Sequence, residues 1–256
     1  MRLDQFRERL RGRYKSVSST MLFRRRLMMR NTVPLISFTF DDFPRSALLT
    51  GGRILENHGI AGTYYTSLGC MGQNSPSGEL FILQDLKDLV DKGHELGCHT
   101  YSHLNAWETS TREFVRSIKQ NKKALTELFP GAEFRTLSYP LEHPRPLTKR
   151  RASKEFRGCR GGGQKINHGT IDLNFMSAYF LDRRREDSDR VKSLIDENSN
   201  IRGWLIFGTH DVCDEPSPYG CTPGYFEEVV RHSVKSGATI RPVAYVLESL
   251  LAGDNP

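Results

Sequence analysis

Two adjacent carboxylates, Asp41 and Asp42, close the apolar run "LISFTF", and two histidines, His99 and His103, stand four residues apart in "CHTYSH". Side-by-side carboxylates repel, and either is costly at the end of a buried run without a partner. A solvated loop would explain the pair, and so would a cation. Two imidazoles and one carboxylate, with a position left open for water, form a catalytic zinc arrangement. If the chain coils helically after Cys98, His99 and His103 lie on one face and can share an ion. Taken alone, an H-x-x-x-H pair reads equally as two turn histidines with no common role. His210 ends a third run, "WLIFGT", and an imidazole titrating near neutrality suits proton transfer. Asp211, next to it, reads as an exposed loop carboxylate.

These residues need elements to bring them together. From Val33 onward, apolar runs alternate with segments of helical period. "VPLISFTF", "AGTYYTSL", "HELGCH", "FRTLSY" and "WLIFGT" read as strands. "RSALLTGGRILENHG", "ELFILQDLKDLVDKG", Thr111 to Phe129 and "TPGYFEEVVRHSVKSG" read as helices, with Gly or Pro-Gly at their ends. "TIRPVAYV" is a poor strand, because Pro242 cannot donate to a ladder. Alternation of this kind predicts an α/β fold with parallel strands, doubly wound or barrel-like. Asp41-Asp42, His99 and His210 each follow a strand. In parallel α/β folds those carboxyl-terminal ends share one surface, where active sites are built.

The motifs then carry a resemblance. The chain resembles the polysaccharide deacetylases of the NodB-homology, carbohydrate esterase 4 type from about Pro34 to Leu250. "TFDD" is similar to that family's first motif, "HTYSH" to its H-[ST]-x-x-H motif and "LIFGTHD" to its fifth. The resemblance implies a distorted (β/α) barrel and a divalent metal ion, zinc first, held by Asp42, His99 and His103. It implies Asp41 as general base and His210 as general acid, acting on the N-acetyl group of an amino sugar in a polysaccharide. Both neighbouring carboxylates reach one site only where the strand breaks, and Phe43-Pro44 supplies a break. Which Asp holds the ion and which takes the proton comes from the resemblance alone.

Two motifs depart from the family pattern. The third usually reads R-x-P-[FY], whereas here Ser138 stands in the Arg position and Leu141 in the aromatic position. Leu141 can still donate its backbone N–H to an oxyanion. Arg160, in "FRGCRGGG", is a candidate for the missing guanidinium, with a solvated Arg beside a flexible glycine loop as the alternative. The fourth motif is absent in recognisable form, since neither Asp172 nor Asp182 stands in a D-x-x-D-W pattern. Tyr139, Tyr219 and Trp107 are candidates to stack on a sugar, with packing as the default for each, and Trp204 reads as core.

Composition bounds the rest. At 256 residues the chain is long enough for one sizeable domain: residues 1–33 as a basic extension and 34–256 as the catalytic domain. A net charge of +7 admits nucleic acid or an anionic surface. No nucleic-acid-binding motif accompanies it, so no nucleic-acid partner is expected. The extension reads as a basic helix that caps the fold, with oligomer contact or peripheral membrane contact as alternatives. Five Cys without framework spacing suit reduced thiols, although Cys213 and Cys221 could pair across their loop. With no signal-like apolar stretch and no membrane-spanning run, a cytoplasmic enzyme of glycan assembly is the expectation. The rival readings are an O-acetyl esterase or other amide hydrolase on the same scaffold, and a non-catalytic carbohydrate-binding relative.

Overall fold

The computed structural model describes residues 2–253, with side chains from Leu10 onward. The amino-terminal segment holds α1 (Arg2–Met21) and β1 (Arg26–Met28). The first half of the alternating part runs β2 (Leu35–Phe40), α2 (Arg53–Asn57), β3 (Thr63–Thr66), a hairpin of β4 (Asn74–Ser75) and β5 (Gly78–Glu79), α3 (Leu83–Asp91) and β6 (Glu95–Cys98). It continues with α4 (Thr111–Leu128), β7 (Thr136–Ser138), α5 (Pro146–Ala152), β8 (Gly158–Arg160), β9 (Thr170–Asp172) and β10 (Tyr179–Phe180). The last part is α6 (Ser188–Ile201), β11 (Trp204–Thr209), α7 (Pro223–Lys235), β12 (Thr239–Ile240) and α8 (Val243–Ala252).

Every pairing in the main sheet is parallel, in the order β10-β11-β2-β3-β6-β7-β8. Within it β2 and β11 are paired over six residues, from Leu35–Trp204 to Phe40–Thr209. All twelve of these residues are buried, as a sheet covered on both faces requires. β12 pairs with Leu35 and Ile36 while β3 takes Thr39 and Phe40. Beyond β8 the chain hydrogen-bonds to itself through Gly161 N to Met176 O and Gln164 N to Ala178 O, then enters β10. The two outer strands are thereby joined by one segment, and the sheet is curled into the distorted (β/α) barrel that the sequence leads one to expect.

α5 and α6 lie in stretches given no helix by the sequence reading, and two segments that it did assign are changed. "RSALLTGGRILENHG" opens as a wide π turn over Ala47–Gly52 before α2 begins. The cause is close packing: a Cβ at Gly52 would lie 2.8 Å from the Tyr64 hydroxyl, so the backbone itself rests on β3. "TIRPVAYV" splits, with two residues in β12 and Pro242 standing immediately before α8. A residue without an N–H fits a helix start, where that donor has no partner anyway.

The amino-terminal segment is stitched onto this frame. β1 pairs antiparallel with β9, Ser19 Oγ donates to Pro144 O (2.7 Å), and the buried Lys149 Nζ donates to Ser19 O (2.7 Å) and Asp172 Oδ2 (2.6 Å). Asp172, one of the acidic residues considered for the fourth motif, is thus tied up in a buried ion pair. All five cysteines, Cys213 and Cys221 included, are free thiols. Burial pushes Cys98 up to about 11 and Cys159 and Cys221 to about 12, so these three are protonated at neutral pH. Among the described residues, no helix is long and apolar enough to cross a membrane.

Candidate metal centre

Asp41 and Asp42 leave β2 through a reversal of backbone sign. Asp42 (φ 61°) and Phe43 (φ 55°) are both left-handed, a conformation costing about 1–2 kcal/mol per residue outside glycine. Packing holds Phe43 there: its buried ring stacks on Phe81 (5.1 Å, 13°) and lies 4.9 Å from Tyr64. The main chain is tied as well, by Phe81 N to Phe43 O (3.0 Å). The break therefore begins at Asp42 itself, one residue before the Phe43-Pro44 expected from the sequence.

His99 and His103 converge without a helix. Thr100 (φ 63°) and His103 (φ 50°) turn the chain sharply after β6. Thr100 Oγ1 accepts from Leu104 N (3.0 Å), and Tyr101 N donates to Ser117 Oγ on α4 (2.9 Å). Asn121, also on α4, braces the preceding loop by accepting from Leu68 N (2.9 Å) and donating to Thr66 O (2.9 Å). Neither Ser117 nor Asn121 stands out in the sequence, because each is one polar residue on a helix face that also carries Phe114 and Ile118.

One ligand atom from each of Asp42, His99 and His103 lies within 4.8 Å of the others. Asp42 Oδ1 is 3.4 Å from His99 Nε2 and 3.1 Å from His103 Nε2, yet it is buried without an aligned hydrogen bond. His99 Nδ1 faces the Ser138 carbonyl at 2.9 Å, and a carbonyl only accepts, so this nitrogen carries the proton. In the neutral ring, the Nε2 lone pair then faces a carboxylate oxygen. Two acceptors facing each other are unfavourable unless a cation lies between them, so the donor set fits a divalent ion, with Ser138 O fixing the tautomer.

Electrostatics agree with a cation-seeking cluster. Burial works against ionisation of Asp42, but His99, and then His103 and His210, hold its carboxyl well below the usual range. Burial likewise disfavours a charged His99, yet Asp42 and Asp41 beside it keep its pKa above the ordinary value. His103 is pushed down, by burial first and then by His99.

Asp41 stands apart from the cluster and has its own partner. Arg160, at the end of β8, is 1 % exposed and donates from Nη2 to both Asp41 Oδ1 and Ser138 Oγ, the latter at 2.7 Å. Its guanidinium is sandwiched between the Tyr65 ring (5.0 Å) and the Phe180 ring (5.2 Å). Burial would raise the Asp41 carboxyl; Arg160 outweighs it, helped by His99 and His210, and holds it below the usual range. The glycines after Arg160 are not a loose loop. A Cβ at Gly161 would come within 2.8 Å of Glu142 O, so the bare backbone lets the 141–143 turn close over the site.

His210, Tyr219, Leu141 and Tyr139 line the same cleft, of about 550 Å³. His210 Nε2 is 4.0 Å from Asp42 Oδ2, its ring rests 5.5 Å from that of Tyr219, and its Nδ1 is buried without a partner. Leu141 is exposed with φ 59°, and its N–H has no acceptor among the described residues. The Tyr139 ring is buried between Phe114 and Phe175, and its hydroxyl donates to Asn174 O (3.3 Å). Trp107 lies against Tyr14 of α1, outside the cleft, and Trp204 is core. Asp211 corrects its sequence reading. It is buried, not exposed, and accepts from Ser217 N (2.7 Å) and Ser217 Oγ (2.6 Å) to fold the 211–221 loop beside His210.

Fold and site together define a class: a curled parallel α/β sheet carrying a two-histidine, one-carboxylate donor set at its carboxyl-terminal end. The polysaccharide deacetylase family model matches residues 29–156, half of the chain, and this protein belongs to that family. Among solved structures it is similar to the Xyl-CE4 domain of a multidomain xylanase from the hindgut metagenome of Trinervitermes trinervoides, at 20% identity and TM-score 0.58 over 88% of this chain and 94% of that one. It is similar to the chitin deacetylase of the fungal pathogen Colletotrichum lindemuthianum, at 15% identity and TM-score 0.61 over 90% and 92% of the two chains. A CE4 family pseudoenzyme from Bacillus anthracis is also similar, at 14% identity and TM-score 0.59 over 85% and 66%. At these identities the likeness establishes the fold. No curated protein matches the sequence.

Proposed function

We propose that the protein is a metal-dependent deacetylase that removes the N-acetyl group from an amino sugar of a polysaccharide or glycan precursor. The observation that carries this reading is the buried Asp42 Oδ1, without a hydrogen bond, facing two imidazole nitrogens. Asp42, His99 and His103 would hold the ion. When bound, a divalent cation, zinc first, supplies the Lewis acidity that polarises the acetyl carbonyl and acidifies the attacking water.

Asp41 accepts the proton as water adds to the acetamide carbon, and Arg160 positions its carboxylate and keeps it ionised. The unpaired N–H of Leu141 is available to the developing oxyanion at the cleft wall. His210 protonates the departing amine as the C–N bond breaks, giving acetate and a free amino sugar. Tyr219, exposed at the cleft beside His210, offers a face for a sugar ring. Five free thiols support a reducing compartment.

A second reading, a non-catalytic carbohydrate-binding relative, draws on one observation: His210 Nδ1 has no partner to fix its tautomer. Acetate release from matched N-acetyl and O-acetyl sugars, by wild type and Asp41→Asn, separates the readings. The deacetylase reading expects release from an N-acetyl substrate and a loss of at least about 100-fold in the variant. Release from O-acetyl sugars alone assigns an esterase. No release at all, with ion bound and glycan retained, assigns the binding relative.

A further inference from the structure

The helix α1 presents its faces the wrong way round for a free surface. Ser18 and Ser19 are buried against the domain, whereas Leu10 (52 %), Tyr14 (64 %), Val17 (52 %) and Met21 (63 %) are exposed. Steps of about 100° per residue place these four within an arc of about 60°, one continuous apolar stripe. Leu22, Phe23 and Met28 extend the exposed apolar surface beyond the helix. A helix that turns serines inward and apolar residues outward has a partner that is not this chain.

Charge identifies the partner. Residues 10–30 contain seven Arg and Lys and no Asp or Glu. The rest of the chain holds 30 cations and 30 anions, so this one segment accounts for the whole net charge of +7. Arg11 and Arg13 flank the stripe on either side. Among the described residues, only Arg11 of these seven has its side chain in an ion pair, with the exposed Glu108 at 3.8 Å. An apolar stripe bordered by unneutralised cations matches an interface between acyl chains and acidic headgroups.

We propose that α1 and the chain after it form a docking surface for an anionic lipid bilayer. A second copy of this chain is the competing occupant, because the 4-3-4 spacing also fits a coiled-coil seam. Charge argues against it: Arg11 and Arg13 would border the same seam from both helices and repel. The helix rests on the loops that leave β6 and β7, through Lys15 Nζ over the Trp107 ring (5.5 Å) and Ser19 Oγ on Pro144 O (2.7 Å). These are the loops that carry His103 and Leu141, so docking would hold the cleft close to membrane-borne glycan. That consequence rests on the deacetylase reading; the lipid contact does not.

Sedimentation of the full chain with vesicles tests the proposal. The chain is expected to bind phosphatidylglycerol-containing vesicles and not pure phosphatidylcholine, and to be released by high salt. Arg11→Gln with Arg13→Gln weakens binding by about fivefold per cation removed. Leu10→Ser with Val17→Ser abolishes it, while the thermal unfolding midpoint stays at the wild-type value. Equal binding to both lipids, or binding unmoved by these variants, overturns the proposal. So does a soluble dimer that Val17→Ser dissociates, which would assign the stripe to a second copy.

Discussion

Ser138 and Arg160 are register partners on the adjacent parallel strands β7 and β8, and Arg160 Nη2 donates to both Ser138 Oγ and Asp41 Oδ1. The position where related motifs carry an Arg is filled here by a small hydroxyl. The guanidinium arrives instead from the neighbouring strand at the same height. The serine does two jobs, accepting from Arg160 with its side chain and from His99 with its carbonyl. One strand position thus links the candidate base to a candidate metal ligand.

Removing the guanidinium is expected to lower the rate by at least about 100-fold and to move the acid limb of the pH–rate profile upward. Arg160 holds the Asp41 pKa down, so without it the base is protonated at higher pH. Arg160→Lys should recover little, because an ammonium lacks the planar face that lies against the Tyr65 and Phe180 rings. Ser138→Arg alone buries a second cation, but paired with Arg160→Ser it should regain activity over either single variant. Rate profiles of wild type and these variants check this. An unmoved acid limb in Arg160→Met would remove Arg160 from the account.

Glu95, on β6 beneath the site, gives a pH prediction for stability. Burial raises its pKa against hydrogen bonds from Thr136 Oγ1 (2.5 Å), Ala244 N (2.8 Å) and Thr63 Oγ1 (2.8 Å). The unfolded chain releases this proton near 4.5, and the folded chain keeps it to a higher pH. The stability contributed here is therefore full below about pH 4.5 and is lost as the pH rises toward the folded value. Glu95→Gln can keep all three contacts without a charge. Its Tm relative to wild type should rise between about pH 4 and about pH 7, and a gap constant with pH would contradict this.

Lys149 joins the amino-terminal segment to the sheet through Ser19 O and Asp172 Oδ2, and all of its side chain is buried. Lys149→Met leaves a buried carboxylate with only the Arg25 and Asn174 N–H groups. The expected loss is about 3–5 kcal/mol in urea unfolding, with faster proteolysis between residues 19 and 28. Wild-type stability would contradict the role given to Lys149 in holding this segment.

Continuous apolar runs made the strands legible. "LISFTF" and "WLIFGT" each pair along their full length, and the candidate polar residues follow at their ends. Less legible was anything set by contacts distant in sequence. The His99–His103 turn depends on Thr100 and on Ser117 from α4, so spacing alone suggested a helix. Burial of Asp211 depends on a loop folding back on it, and the place of Arg160 on the β7–β8 register. The inverted face of α1 is visible only once Ser19 is seen against Pro144.

The central claim is that Asp42, His99 and His103 hold one divalent ion on which deacetylation depends. Its most direct measurement titrates zinc into chelator-stripped protein while following bound metal and acetate release from an N-acetyl sugar in one sample. The account predicts one ion per chain, activity rising in proportion to occupancy, and loss of both in His99→Ala, with a Tm that no longer responds to zinc. Acetate release that is unchanged in the stripped protein, or zinc binding retained in full by His99→Ala, would contradict it.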